Sequence, residues 1–429
     1  MTGSPVAERR VTRFDPSVRA VVTGLGVVAP TGVGVDEHWR ATLEGRQSVR
    51  TIENFDPARY PVQLAGQISG FEPTAHIDER LLVQTDRWTW LALAAAGMAT
   101  DDAGYDPSMY DPYATSVILG SGSGGVEFGQ REIQALWSRG RRSVGAYQSI
   151  AWFYAASTGQ LSILHGTKGP SGVVVSDAAG GLDSLGWARR TVRRGTPAVI
   201  AGGTEAPISP YAITCQAANR RLSPATVAAH GYKPFDTAAN GYVPGEGGAV
   251  LVVEDAAAAA RRGRPGIYGE IAGYAATHDA HHHEHAAPDG RQYARALDDA
   301  LADAGIGPAE VDLVIADGAG SPDLDAVEAE VLVRAFGNRG VPVTAPQGLT
   351  GRLCAGGSAL GAANALLALR DGVAPPVGNL DEPDPRFGLD LVREPRRLPL
   401  RTVLVLARGH GGFNSAIVLA RPEWFPTER

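Results

Sequence analysis

The chain has 429 residues, 44% of them hydrophobic and 20% charged, with a net charge of -7. That length suffices for two or three domain-sized cores, and the composition is that of a soluble globular protein rather than a disordered one. No apolar run reaches the roughly 20 residues of a bilayer span, the acidic balance gives no support for nucleic-acid binding, and two cysteines, Cys215 and Cys354, build no disulfide framework and suit the reducing cytoplasm.

Residues 1–17 carry no apolar signal core and read as a loose tail. From there, strand-like runs alternate with helical ones, the pattern of a layered α/β architecture. "AVVTGLG" (20–26), "SVILGSGSG" (116–124), "GVVVS" (172–176), "PAVIAGG" (197–203) and "AVLVVED" (249–255) are the expected strands of a first part. "WTWLALAAAGMATDDAG" (88–104) and "SLGWARRTVRRG" (184–195) are its expected helices. The cycle then restarts with "YGEIAGYAA" (268–276), "QYARALDDALADAG" (292–305), "VDLVIADGAG" (311–320), "ALGAANALLALRDG" (359–372) and "RTVLVLARG" (401–409). The chain therefore divides into a tail and two similar halves, 18–265 and 266–429.

One stretch has the build of a nucleophile seat. In "VVVSDAAGGLDSLGWARR" (173–190) a β-branched run leads through small residues into a helix, whose positive end would favour a thiolate or alkoxide. Ser176 and Asp177 stand where a helix cap belongs, yet the turn offers only Ala178 and Ala179, which cannot attack. Other motifs have plainer readings. "GSGSGG" (120–125) and "GLGVVA" (24–29) lack the acidic residue and the helix start of a dinucleotide site, so close backbone packing explains their glycines. "HDAHHHEH" (278–285) lacks HExxH, and neighbouring histidines in an extended stretch face opposite ways, so no metal is expected and the segment reads as a solvated loop. Arg189, Arg190, Arg193 and Arg194 read as a charged helix end, with docking of an acidic partner as the alternative. Lys168 and Lys233 are the only lysines, which leaves few amines for chemistry.

Four longer stretches carry a resemblance. "VVTGLGVVAPTGVG" (21–34), "AGGTEAPISP" (201–210), "KPFDTAANGYVPGEGGAVLVVED" (233–255) and "GHGGFNSAIVL" (409–419) resemble the β-ketoacyl synthases of the thiolase fold, over about residues 18–422. The resemblance implies a five-layer α/β/α/β/α fold of two duplicated halves. It also implies a cysteine at the turn, two histidines that stabilise the enolate from malonyl decarboxylation, and a supporting lysine. This chain departs at nearly every such position. Ala178 stands at the cysteine and His282 at the first histidine. Arg352 stands at the second histidine, Gln347 at the lysine, and His410 at a phenylalanine beside the site.

Without a thiolate no acyl-enzyme forms, and a guanidinium cannot act as a neutral imidazole does. Among condensing enzymes, such a silenced chain resembles the chain-length factor, the β subunit of the type II polyketide ketosynthase heterodimer. That resemblance implies a catalytic ketosynthase partner, an acyl carrier protein with its phosphopantetheine arm, and no cofactor of the chain's own. It also places the end wall of the polyketide tunnel on the helix beginning "GGVEFGQREIQALW" (124–137). There Val126, Gly129 and Ile133 share a face at i, i+3 and i+7, and Tyr211 stands nearby. Glycine and branched aliphatics imply a long chamber. Two rivals stay open: an autonomous thiolase-fold acyltransferase or malonyl decarboxylase using Cys354 or His282, and a purely structural stabiliser of the ketosynthase.

Overall fold

The computed structural model describes residues 14–263 and 266–423. Most of the expected tail lies outside the described residues, and the division expected after residue 265 abuts residues 264–265, which also lie outside them.

A sheet of 12 strands runs through the molecule. Its first half contains β1 (Ala20–Ala29), β2 (Thr115–Gly120), β3 (Gly172–Val174), β4 (Ala198–Glu205) and β5 (Gly247–Asp255). The second contains β6 (Gly269–His278), β7 (Leu313–Ile315), β8 (Pro342–Thr344), β9 (Thr402–Arg408) and β10 (Phe413–Ala420). The lateral order is β8-β7-β9-β10-β6-β1-β5-β4-β2-β3, with Asp390–Leu391 beyond β8 and Gly32–Val33 beside β1. Each half thus has the same connectivity, its third, second and fourth strands parallel and its fifth and first antiparallel to their neighbours. The halves join where Val21 and Val22 pair with Glu270 and Gly269.

The helices that matter below are α1 (Arg87–Ala103), α2 (Val126–Arg139), α3 (Gly180–Val192), α4 (Pro210–Ala217), α5 (Arg291–Ala304), α6 (Pro322–Phe336) and α7 (Ala355–Asp371). α3 and α7 lie between the half-sheets, α1 covers the outer face of the first, and α5 and α6 cover that of the second. This is the five-layer α/β/α/β/α arrangement of two like halves.

The sequence of α7 explains its central place. It is apolar on every side, and 13 of its 17 residues are buried, as a helix without a polar face must be. Its paired Gly356 and Gly357 cost helix propensity of about 1 kcal/mol each, while burying Leu360, Leu366, Leu367 and Leu369 returns roughly 2 kcal/mol each. The small residues permit backbone contact: a Cβ at Gly181 of α3 would stand 2.3 Å from the carbonyl oxygen of Ala355, and one at Gly356 would stand 2.1 Å from that of Gly247. A buried polar node also ties α7 to the first half. His38 pairs with Thr31 Oγ1 at 2.6 Å and with Asn364 Oδ1 at 2.8 Å, and burial lowers its pKa to about 4.

The arginine run divides: Arg190 and Arg194 stay exposed as a charged helix end does, while Arg189 and Arg193 are absorbed into this packing. Arg189, only 4% exposed, donates to Asp303 at 2.6 Å and to the Ala272 carbonyl at 2.6 Å, while Arg193 donates to the Val18 carbonyl at 3.2 Å. The glycine motifs likewise serve close approach: a Cβ at Gly26 would meet the Ala95 carbonyl oxygen at 1.8 Å. Among the described residues no helix is long and apolar enough to cross a membrane.

Candidate functional site

β3 runs through a short turn, Asp177–Ala179, into α3. The expected capping is not what holds this turn, because neither Ser176 nor Asp177 makes a side-chain cap. The Ser176 hydroxyl instead donates to Asp183, which also accepts from the Tyr274 hydroxyl at 2.8 Å. Asp177 sits in the left-handed region at φ 50, a conformation that costs on the order of 1–3 kcal/mol and persists only where its surroundings enforce it. Here its Oδ2 accepts the backbone N–H of His410 at 2.7 Å. The turn has the tight geometry of a nucleophile seat, and its seat is the methyl group of Ala178, 5% exposed.

Two cavities meet beside it. One of about 40 Å3 is lined by Ala178, Tyr232, Asp317, Gln347, Arg352 and Cys354 among others. A larger one of about 350 Å3 shares Asp317, Arg352 and Cys354 and adds Asp177, Arg408 and His410. The tertiary structure therefore gathers four of the five positions singled out in the sequence: Ala178, Gln347, Arg352 and His410.

His282 is the exception and corrects the expectation. It lies with His281, His283 and His285 on an exposed loop, where its ring stacks on that of His285 at 4.8 Å, and it lines neither cavity. A row of imidazoles is too polar to bury together, so the loop stays in water, anchored by the Ala287 N–H donating to Asp279 at 2.8 Å. Among the described residues no group of three or more histidine, cysteine, aspartate or glutamate side chains is placed to hold a metal ion.

The group that faces Arg352 is Asp317, from the stretch "IADGAG". Arg352 Nη2 contacts both carboxylate oxygens at 3.1 Å and donates to the Arg408 carbonyl at 2.6 Å. With side-chain exposures of 15% and 9%, the ion pair is largely out of water, where neither charge can be removed cheaply. Asp317 also accepts the Arg408 N–H at 2.9 Å, and its own N–H donates to Glu328 at 2.8 Å. Burial, and then the charge of Asp317, push Glu328 up to about 7. Gln347 is equally occupied, its amide donating to the Ala316 carbonyl at 2.9 Å and to that of Asp317. Gln347 is thus committed to holding the loop at Asp317, and Arg352 turns Nη2 to the same loop rather than to a developing oxyanion.

Cys354 opens α7 in the left-handed region at φ 48. Burial and then the charges of Asp177 and Glu205 push its thiol well above the ordinary range. A nucleophilic cysteine needs the opposite environment. Lys233, 2% exposed, is bound to Asp381 at 2.6 Å and the Asn379 carbonyl at 3.1 Å, so it is a structural cation. Sequence reading missed Asp317 and Glu205 as members of the site, although both stand in quoted motifs, "IADGAG" and "AGGTEAPISP".

Farther along the first half, α2 carries Val126 half-buried, Gly129 buried and Ile133 exposed at 49%. A Cβ at Gly129 would lie 3.8 Å from that of Trp152, so the position has room for a side chain. Tyr211, 52% exposed, opens α4, and its N–H donates to Gln130 of α2 at 2.8 Å. Elsewhere in the first half Trp137, Ile150, Trp152, Phe153, Ile163, Leu164 and Val175 also stand exposed, and the edge strand β3 pairs on one side only. Exposed apolar side chains in such number, with an open strand edge, mark a surface meant to be covered.

Comparison with known proteins follows the same lines. Residues 18–259 match the family described as "Beta-ketoacyl synthase, N-terminal domain", and residues 268–381 match "Beta-ketoacyl synthase, C-terminal domain". The tetracenomycin polyketide synthase ketoacyl synthase beta subunit of Streptomyces glaucescens is 50% identical over 403 residues, 94% of this chain and 98% of that relative. Among solved structures, the ishigamide ketosynthase/chain length factor superposes with a TM-score of 0.88 at 27% identity, over 94% of this chain and 99% of its own. A type II PKS acyl-carrier protein in complex with its ketosynthase bound to the hexaketide gives a TM-score of 0.84 at 29% identity, over the same shares.

Proposed function

The chain belongs to the β-ketoacyl synthase family, and on that premise we propose that it is the non-condensing chain-length-factor subunit of a type II polyketide synthase. The observation that carries this reading is the site itself: a nucleophile turn seated with Ala178, beside a cavity in which Arg352 is paired with Asp317. No acyl-enzyme can form on a methyl group. An oxyanion donor is worth roughly 3–4 kcal/mol only when it is free to point at developing charge, and the Gln347 amide and Arg352 Nη2 are engaged elsewhere. The rival acyltransferase at Cys354 would need a thiolate where burial and two carboxylates oppose one.

The partner is a catalytic ketosynthase. It supplies the cysteine and covers the exposed face around Ile163, Leu164 and Val175, as permanent complexes cover large apolar surfaces. The exposed Arg139 at the end of α2, with Arg141 and Arg142 just after it, offers the acyl carrier protein a cationic surface that an acidic face would complement. Val126, Gly129, Ile133 and Tyr211 form the wall that limits the growing poly-β-ketone. The chain comprises two ketosynthase-like halves that meet near residue 265, and it works in the cytoplasm, where Cys215 and Cys354 stay free thiols.

Reconstitution tests this. Co-expressed with its ketosynthase, the chain is expected to copurify one-to-one, and polyketide is expected to form from malonyl-carrier protein only when both are present. Elongation by the purified chain alone would overturn the reading.

A further inference from the structure

α2 has no side-chain cap of its own, since Gly125 precedes it. Two carboxylates from other elements hold its start instead. Asp86, 2% exposed, caps α1 by accepting the Trp88 N–H through Oδ1 at 3.2 Å, and its Oδ2 accepts the Phe128 N–H in the first turn of α2 at 2.6 Å. Glu205, fully buried at the end of β4, accepts the Gly122 N–H, the Ser123 hydroxyl and, at 3.3 Å, the Ser123 N–H. Both anchors are set in one rigid body, for Trp88 of α1 and Ile200 of β4 belong to the same core.

The entry to α2 therefore hangs between two buried carboxyl groups, each accepting hydrogen bonds from the backbone of the segment that leads into the helix or of its first turn. Glu205 also stands against the degenerate turn. A Cβ at Gly122 would lie 3.6 Å from both the Asp177 Cα and Glu205 Oε1. Val126 and Gly129 lie in the first turn that these bonds hold, so any drift of that turn moves the wall with it.

We propose that Asp86 and Glu205 are positioning residues for product length: they fix the first turn of α2 and so decide where the wall of Val126, Gly129 and Ile133 stands. The proposal rests on the tunnel-wall reading above. Asp86→Ser separates the two duties of Asp86, because serine still caps α1 at the Trp88 N–H but is too short to reach Phe128. In the reconstituted heterodimer, Asp86→Ser is expected to raise the share of off-length products at least threefold, read by mass spectrometry. Amide exchange in residues 126–131 should quicken tenfold or more.

Gly129→Phe, run beside it, separates the two ideas. If Gly129→Phe leaves product length unchanged, the wall reading fails and takes the proposal with it. If Gly129→Phe shortens the product while Asp86→Ser lowers yield without altering the distribution, only the positioning proposal is overturned. Should Asp86→Ser not assemble with the ketosynthase, Ser123→Ala, which removes one donor from Glu205, decides by the same distribution: a broadened product range supports the proposal and an unchanged one overturns it.

Discussion

The two halves of the molecule share one strand connectivity, yet their surfaces are opposites. Apart from Phe14 of the tail, every large apolar side chain found exposed among the described residues, from Val83 to Val227, belongs to the first half. In the second half α5 and α6 close over the sheet, burying Tyr293, Leu297, Leu301, Val331 and Leu332. The interior shows a matching division. The first half contributes the empty turn at Ala178, and the second contributes Asp317, Gln347 and Arg352, which occupy the space beside it. The two halves therefore share a scaffold, while one carries the exposed apolar side chains and the other the ion-paired lining beside Ala178.

Disrupting the first surface should have the largest effect. Ile163→Asp combined with Leu164→Asp is expected to weaken heterodimer formation by more than about 100-fold, the scale of losing a buried apolar cluster, measured by analytical ultracentrifugation. Arg295→Asp, on the exposed face of α5, should leave assembly unchanged.

The seam between the halves gives the next effect. His38 titrates near 6.5 when unfolded and about 4 when folded, so the unfolded chain binds its proton first, and stability falls as pH drops from 6.5 towards 4. The stability of the wild type relative to His38→Gln should decline by roughly 2 kcal/mol between pH 7 and pH 5 in urea unfolding. The buried carboxylates run the other way. Burial raises Asp86, Glu205 and Glu328 to about 7, so what they contribute is lost as pH rises from about 4 through 7.

Gly129→Phe acts on the wall alone. A Cβ there would rest in ordinary contact with the Trp152 Cβ at 3.8 Å, and the main product should shorten by one or two ketide units with assembly intact. Ala178→Cys should do least. In a heterodimer whose ketosynthase thiol is alkylated it should restore no condensation, because the Arg352–Asp317 pair of the second half still stands where enolate stabilisation is needed.

Much of this was legible in the sequence, for reasons particular to each element. β1, β4, β5 and β9 declared themselves through long β-branched runs, and α7 through an apolar stretch of helical length. β8 spans only three residues, Pro342–Thr344, too short for any period to register, while α6 begins with the polar "PDLDAVEAE" and shows its buried face weakly. β10 lay inside a quoted motif, "GHGGFNSAIVL", without being recognised as a strand.

Local order alone determined that the turn at Ala178 cannot attack and that the chain repeats one α/β cycle, and the resemblance to condensing enzymes added that Gln347 and Arg352 replace the expected chemistry, because these are statements of which atoms a residue possesses. Only the tertiary structure decided which distant residues meet. It set Asp317 rather than His282 against Arg352, bound α2 to Asp86 and Glu205, and left one half's apolar face bare. Such pairings depend on how two half-sheets close around α3 and α7, and contacts between residues 35, 42 and 83 positions apart leave no periodic trace in the chain.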